Sequence, residues 1–332
     1  MWKSSFGYGG YTVIMITVAI TIMSILMRTI FVSASMNQVH VSRSKVALSS
    51  SVPAQGLYDS CAPEKGSICY DRLKQMAQAG FTLVLNYDQL SGDAQQQLAY
   101  ASWANQLNMK IIWAMNSHAF WDGTDLKHRY RALAATCDCF TNQDFLHYFV
   151  NLVKDLPATW GYYIGDEVPY QDHSKVRELA DKIRQLDPFH PQLLIAGAST
   201  IDSVATNLLP FTDTADVLGA DYYPVGSSYM PLQATANIAS AVQSITDQVH
   251  KPSALVLQAF SWSQYPDEAW RCSPFPSCAH FPTKDEMCQM LTLALSNAQP
   301  QILLWYSYQD ILRSNDPAGH LQTLSEVIQT CN

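Results

Sequence analysis

The chain has 332 residues, 48% hydrophobic and 14% charged, with a formal charge of −8. This balance excludes a disordered or coiled-coil chain and leaves ample material for one large core. All 28 acidic residues lie beyond an N-terminal apolar stretch that carries Lys3 and Arg28. The main body therefore lacks the basic surface that nucleic acid binding needs, and no nucleic acid partner is expected.

Residues 1–32 open the chain as a signal anchor or signal peptide. No charged side chain lies between Phe6 and Met27, and VIMITVAITIMSILM at 13–27 is almost wholly apolar, long enough to span a bilayer. Lys3 and the small residues Val32-Ser33-Ala34 also fit a cleaved signal, while Arg28 between the apolar run and that site argues for an uncleaved anchor. Either way the expected localisation is extracytoplasmic, held to the membrane by residues 6–27 or released near Ala34. Arg43 and Lys45 on the far side weaken the positive-inside argument for that orientation. Residues 33–52, with seven serines and little apolar periodicity, read as a linker.

From residue 53 onward, short apolar runs alternate with helix-period segments. The runs are GLYD at 56–59, FTLVLNYD at 81–88, IIWAMN at 111–116 and GYYIGDE at 161–167. QLLIAGAS at 192–199, DVLGADYYP at 216–224, ALVLQAFSW at 254–262 and ILLWYSYQD at 302–310 complete eight candidate strands. Between them, Val176, Leu179, Ala180, Ile183 and Leu186 form one core-facing stripe, and Ile238, Val242, Ile245 and Val249 another. Gly80 ends the first helix, Thr283-x-x-Glu286 is a capping box for the seventh, and a helix at 321–328 is the eighth. Eight strand-then-helix units over residues 53–332 predict a (β/α)8 TIM barrel. A doubly wound open sheet would carry a glycine-rich phosphate loop after its first strand, and none follows Asp59.

Eight cysteines suit export into an oxidising compartment. The short-range pairs Cys61 with Cys69 and Cys272 with Cys278 are the expected bridges. Cys137 and Cys139 are too close in sequence for an easy bridge, and their state is left open together with that of Cys288 and Cys331. No Cys-x-x-Cys pair or Cys/His couple has metal-site spacing, so neither a metal nor another cofactor is expected.

In a barrel of this kind the site forms where strands end and loops begin. The residues there are Asp59, Asn86, Asp88, Asn116, His118, Asp166, Glu167, Ser199, Asp221, Tyr223, Gln258, Trp262, Trp305, Tyr308 and Asp310. This set is rich in carboxylates, amides and aromatics but lacks the lysine of Schiff-base chemistry and a His-x-His metal cluster. Acid/base groups beside aromatic platforms suit a carbohydrate substrate or glycan. An isolated Asp-Glu pair is usually a solvated turn, but one that follows an apolar aromatic strand and precedes a proline belongs at a barrel mouth. Asp59 and Asp310 read as supporting groups, and Trp121 as a loop aromatic.

Gly165-Asp166-Glu167-Val168-Pro169 resembles the strand-4 segment of the (β/α)8 glycoside hydrolases, where an acid/base Glu usually follows Asn and often precedes Pro. The resemblance extends over the barrel in layout, and it implies that Glu167 protonates the leaving oxygen with a raised pKa. It also implies that Tyr223, in Asp-Tyr-Tyr-Pro at 221–224, faces the reacting sugar, and that Trp305 stacks on it. Asn116, His118, Gln258, Trp262 and Tyr308 complete the implied substrate contacts. The departure is at strand 7, where such enzymes carry a nucleophilic Glu and this chain has Gln258. Two repairs are open. Asp221 can act as the base of an inverting mechanism, or the Asp166-Glu167 pair can work as in substrate-assisted hexosaminidases, with Asp166 orienting the sugar's acetamido group. The alternatives to an enzyme are a non-catalytic glycan-binding barrel and a cell-surface interaction module.

Overall fold

The computed structural model describes residues 52–115, 125–272 and 279–331. The apolar segment at 6–27, the linker up to residue 51, and Asn116, His118, Trp121 and Cys278 lie outside the described residues.

Eight strands appear where the apolar runs predict them: β1 Ala54–Asp59, β2 Leu83–Asn86, β3 Lys110–Ala114, β4 Thr159–Asp166, β5 Gln192–Gly197, β6 Val217–Asp221, β7 Ser253–Gln258 and β8 Ile302–Tyr306. All pair in parallel in chain order, and β1 returns to β8 with Gly56 opposite Leu304, closing a barrel. The helices are α1 Ser67–Gln78, α2 Ala94–Gln106, α3 Leu126–Arg129, α4 Arg131–Ala134 and α5 Asn142–Val153. They continue with α6 His173–Leu186, α7 Ile201–Leu208, α8 Ala234–Gln248, α9 Lys284–Asn297, α10 Tyr308–Arg313 and α11 Pro317–Thr330.

Each strand is apolar on both faces because both are covered. The axial face packs Tyr58, Leu83, Leu85, Ile112, Tyr163, Ile195, Val256 and Leu304 into the barrel. The outer face packs Leu57, Val84, Trp113, Ile164, Leu194, Leu218, Leu257 and Trp305 against the helices. The expected stripe on α6 is buried at Val176, Leu179, Ala180 and Ile183. The capping box before α9 is formed: the Thr283 hydroxyl accepts from Glu286 N–H, and Glu286 Oε2 accepts from Thr283 N–H at 2.9 Å. Gly80, at φ 101°, ends the turn after α1 in a conformation that glycine alone adopts freely.

Cys61 bridges Cys69, with Cα atoms 5.7 Å apart, and clips the β1 loop to α1. Cys288 bridges Cys331 and ties α9 to the end of α11, while Cys137 pairs with Cys139. Among the described residues no helix is long and apolar enough to cross a membrane.

Candidate active site

The site begins with an irregularity in β4. Its register to β5 runs from Tyr163 opposite Leu193 directly to Gly165 opposite Leu194, so Ile164 is an extra residue. Such a bulge re-aims the side chains that follow it. Tyr163 faces the axis and Ile164 the helices. At Gly165 a Cβ would meet Leu194 Cδ1, on the outer layer, at 2.7 Å. Two successive positions thus face outward, and Asp166 swings back to the axis. There its Oδ1 accepts from the Tyr163 hydroxyl at 2.6 Å and its Oδ2 from the Tyr87 hydroxyl at 2.8 Å.

Glu167 follows with φ +47°, a left-handed backbone that costs a residue other than glycine of order 1 kcal/mol. Its N–H still bonds to Ile195 O at 2.8 Å. The side chain lies across the end of β5, where a Cβ on Gly197 would sit 3.1 Å from its Cδ and 3.2 Å from its Oε1. From there the Glu167 carboxyl, exposed at the mouth, neighbours that of Asp221 at the end of β6.

Asp221 is 4% exposed. Its Oδ1 accepts from Ala198 N–H at 3.3 Å, and its Oδ2 from the Tyr223 hydroxyl at 3.2 Å. Burial raises its pKa well above the usual carboxylate range, the neighbouring Glu167 and Asp166 raise it further, and only the Tyr223 hydrogen bond opposes them. The raised pKa expected at Glu167 is found at Asp221.

Phenols surround the carboxyls. Tyr58, Tyr87, Tyr163, Tyr223 and Tyr306 rise from the ends of five different strands or their first loop residues. The Tyr58 hydroxyl reaches that of Tyr163 at 3.3 Å, and the Tyr58 ring lies 5.4 Å from Tyr87 and 5.2 Å from Tyr306. Burial, reinforced by the nearby carboxylates, raises the pKa of all five, that of Tyr306 to about 12, which keeps them proton donors at neutral pH. Of these, sequence reasoning finds only Tyr223. The signal for the others was a tyrosine at or beside the ends of β1, β2, β4 and β8.

Three predicted contacts fall elsewhere. Trp305 is fully buried on the outer face, where its Nε1 donates to Gln55 Oε1 at 3.2 Å, so the aromatic that β8 presents to the mouth is Tyr306. Tyr308 lies on α10, buried among the helices, with its hydroxyl on Gln75 Oε1 at 2.8 Å. Gln258 is fully buried and saturated. Its Oε1 accepts from Val225 N–H at 2.7 Å, and its Nε2 donates to Val225 O at 2.9 Å and Phe260 O at 3.0 Å. It holds the loop that carries Tyr223 and has no group left for a substrate.

Trp262 does come to the site side, packed on Phe260 at 4.8 Å and Tyr223 at 6.4 Å. Asn86 and Asp59 are structural. The Asn86 amide clasps the Cys61 backbone at 2.9 and 2.7 Å. Buried Asp59 pairs with Arg72 at 2.9 Å, yet burial outweighs that ion pair and raises its pKa. Asp310, also buried, lies in the first turn of α10, where its N–H donates to the capping Ser307 hydroxyl and its Oδ2 accepts from the Tyr265 hydroxyl at 2.8 Å. Among the described residues no three His, Cys, Asp or Glu side chains converge as a metal site.

No family model matches this sequence, and no curated protein matches it. Solved structures do resemble it. A candidate α-L-fucosidase from Bacteroides thetaiotaomicron superposes with a TM-score of 0.58 at 11% identity, over 85% of this chain and 94% of its own. The GH53 catalytic domain from Ignisphaera aggregans gives 0.54 at 12% identity, over 86% and 98%. The endo-β-1,4-mannanase from Thermotoga petrophila gives 0.52 at 12% identity, over 86% and 78%. At such identities the likeness is one of fold: this chain is a (β/α)8 barrel of the kind that these glycoside hydrolases share.

Proposed function

We propose that this barrel is a carbohydrate-active enzyme of the glycoside hydrolase type, with Glu167 as the acid that protonates the leaving oxygen. The observation that carries this reading is the gathering of three carboxyls at the barrel mouth, Glu167 beside the buried Asp221 and an Asp166 held by two phenols. Exposed at the mouth and set beside the buried Asp221, Glu167 is placed to meet the leaving oxygen of a bound glycoside.

The pair also bears on the second catalytic group. An inverting mechanism needs its carboxyls roughly 6.5–9.5 Å apart, with water between them. Its base must also be ionised, whereas Asp221 is buried with its pKa raised, which favours a positioning role for it beside Glu167. Asp166 then fits the substrate-assisted role. Its orientation is set by the Tyr87 and Tyr163 hydroxyls, one on each carboxylate oxygen. In that reaction the acetamido carbonyl oxygen attacks C1 while Glu167 gives its proton to the departing glycosidic oxygen. Water then opens the cyclic intermediate and returns a proton to Glu167.

The test is turnover of aryl 2-acetamido glycosides against their 2-hydroxy counterparts. The first class should be hydrolysed, and Glu167→Gln should slow it by about 10²–10⁴-fold. Equal rates in Glu167→Gln and wild type would end the assignment. A glycan-binding barrel without catalysis is favoured by one observation, the amide of Gln258 spent wholly on its own loop. Binding without turnover of either glycoside class would select it.

A further inference from the structure

Two of the most exposed aromatic side chains stand together on the mouth side of the barrel. Tyr229, in the loop after β6, is 62% exposed, and Trp270, in the loop after β7, is 52% exposed; their ring centroids are 5.9 Å apart. Large aromatic surface left in water is a cost to the free protein and is commonly recovered by a ligand.

The pair does not stand alone. The Arg271 guanidinium lies 4.7 Å from the Trp270 ring centroid and 4.3 Å from that of Trp262. Trp262 is in turn 6.4 Å from Tyr223, whose hydroxyl bonds to Asp221. A series of ring contacts therefore links the rim to the carboxyl cluster, with Trp262 itself buried, 6% exposed, beneath Arg271. The series is held in place before any ligand arrives. Arg271 Nε donates to Glu268 Oε2 at 2.9 Å, and Arg271 O accepts from Ser228 N at 2.9 Å and Ser228 Oγ at 2.7 Å, so the two loops are clasped to each other. Surfaces fixed in this way lose little entropy on binding.

We propose that Tyr229 and Trp270 form an outer subsite for an uncharged polysaccharide chain whose inner end reaches Tyr223 and Glu167. This rests on the carbohydrate reading above and adds that the ligand extends beyond one sugar. Sugar rings offer the apolar faces and polar edges that aromatic series accept. The chain is uncharged because the charge of Arg271 is already matched by Glu268, while the net negative charge left on the carboxyl cluster around Asp166 repels a polyanion at the inner end.

Affinity electrophoresis of the full chain in gels containing mannan, a mixed-linkage β-glucan, glycol chitin or polygalacturonate tests this directly. At least one uncharged polymer should retard the wild type. Tyr229→Ala with Trp270→Ala should weaken that retention about tenfold or more, and Trp270→Tyr should keep most of it. Phe189→Ala is the control, an exposed aromatic between α6 and β5 at the opposite end of the barrel. Retention of the double variant equal to wild type, an equal loss in Phe189→Ala, or retardation by polygalacturonate alone each overturns the subsite. So does the absence of retardation by every uncharged polymer. Rim-dependent retention without turnover of any aryl glycoside upholds the subsite and removes the hydrolase reading instead.

Discussion

Glu167 is held by what its neighbours lack. Gly197 leaves the space its carboxyl occupies, and an alanine there would bring a methyl carbon to 3.1–3.2 Å of three Glu167 atoms. The yielding partner is the flexible end of a side chain, so Gly197→Ala should fold normally and even gain a few tenths of a kcal/mol from a stiffer unfolded chain. Displacing the acid by a few tenths of an ångström should nevertheless cut kcat about tenfold. An unchanged kcat with an unchanged Tm would mean that the docked position of Glu167 plays no part in turnover.

Asp221 gives the residue scale a pH signature. Its folded pKa is raised, so the native state keeps a proton that the unfolded chain releases near the ordinary carboxylate pKa. Its stability contribution is whole below that ordinary value and is lost as pH rises towards the folded pKa. Asp221→Asn removes the loss, and the Tm of the variant relative to wild type should climb between pH 5 and pH 9. Asp59 is raised in the same direction and remains in both proteins, so the slope will shrink but persist. Parallel Tm curves would contradict the buried, protonated Asp221.

Elements explain the departure at β7. Gln258 meets both the N–H and the C=O of Val225, which needs one acceptor and one donor on the same side chain, and only an amide has both. Gln258→Glu should therefore cost about 2–4 kcal/mol in urea unfolding, because it leaves two carbonyls facing a buried carboxylate, and it should bring no gain in turnover. A gain in turnover would mark the position as a lost nucleophile after all. The same contrast bears on what was legible in the sequence. Runs such as ILLWY announce strands by composition, and all eight were readable. Being apolar on both faces, they contain no alternation to say which residue meets the axis, and this is how Trp305 took the place of Tyr306. Asp166, Glu167 and Asp221 were legible as strand-end acids. The bulge at Ile164, the left-handed Glu167 and the meeting of Glu167 with Asp221 across β5 depend on how three strands meet, which no local pattern encodes.

At the scale of the whole molecule, the barrel depends on its last strand returning to its first, and the helices over that seam come from the end of the chain. α11 packs against α9 and α10, and Ser325 on α11 donates to Ala79 O beyond α1 at 2.9 Å, so the last helix spans the closure between β8 and β1. The Cys288–Cys331 bridge pins the end of that helix to α9 across 43 residues. By loop-closure entropy such a link stabilises by roughly 4 kcal/mol, and at roughly 2 °C per kcal/mol for a domain of this size its loss should lower Tm by roughly 8 °C. The Cys61–Cys69 bridge closes only 8 residues and should matter less. Thermal melts of Cys288→Ala with Cys331→Ala, and of wild type under reductant, test the ranking. The double variant should lower Tm more than the Cys61→Ala with Cys69→Ala protein, whose bridge the same relation puts at roughly 2.5 kcal/mol. The reverse order would place the weak point of the closed barrel in the β1 loop instead of at its C-terminal seam.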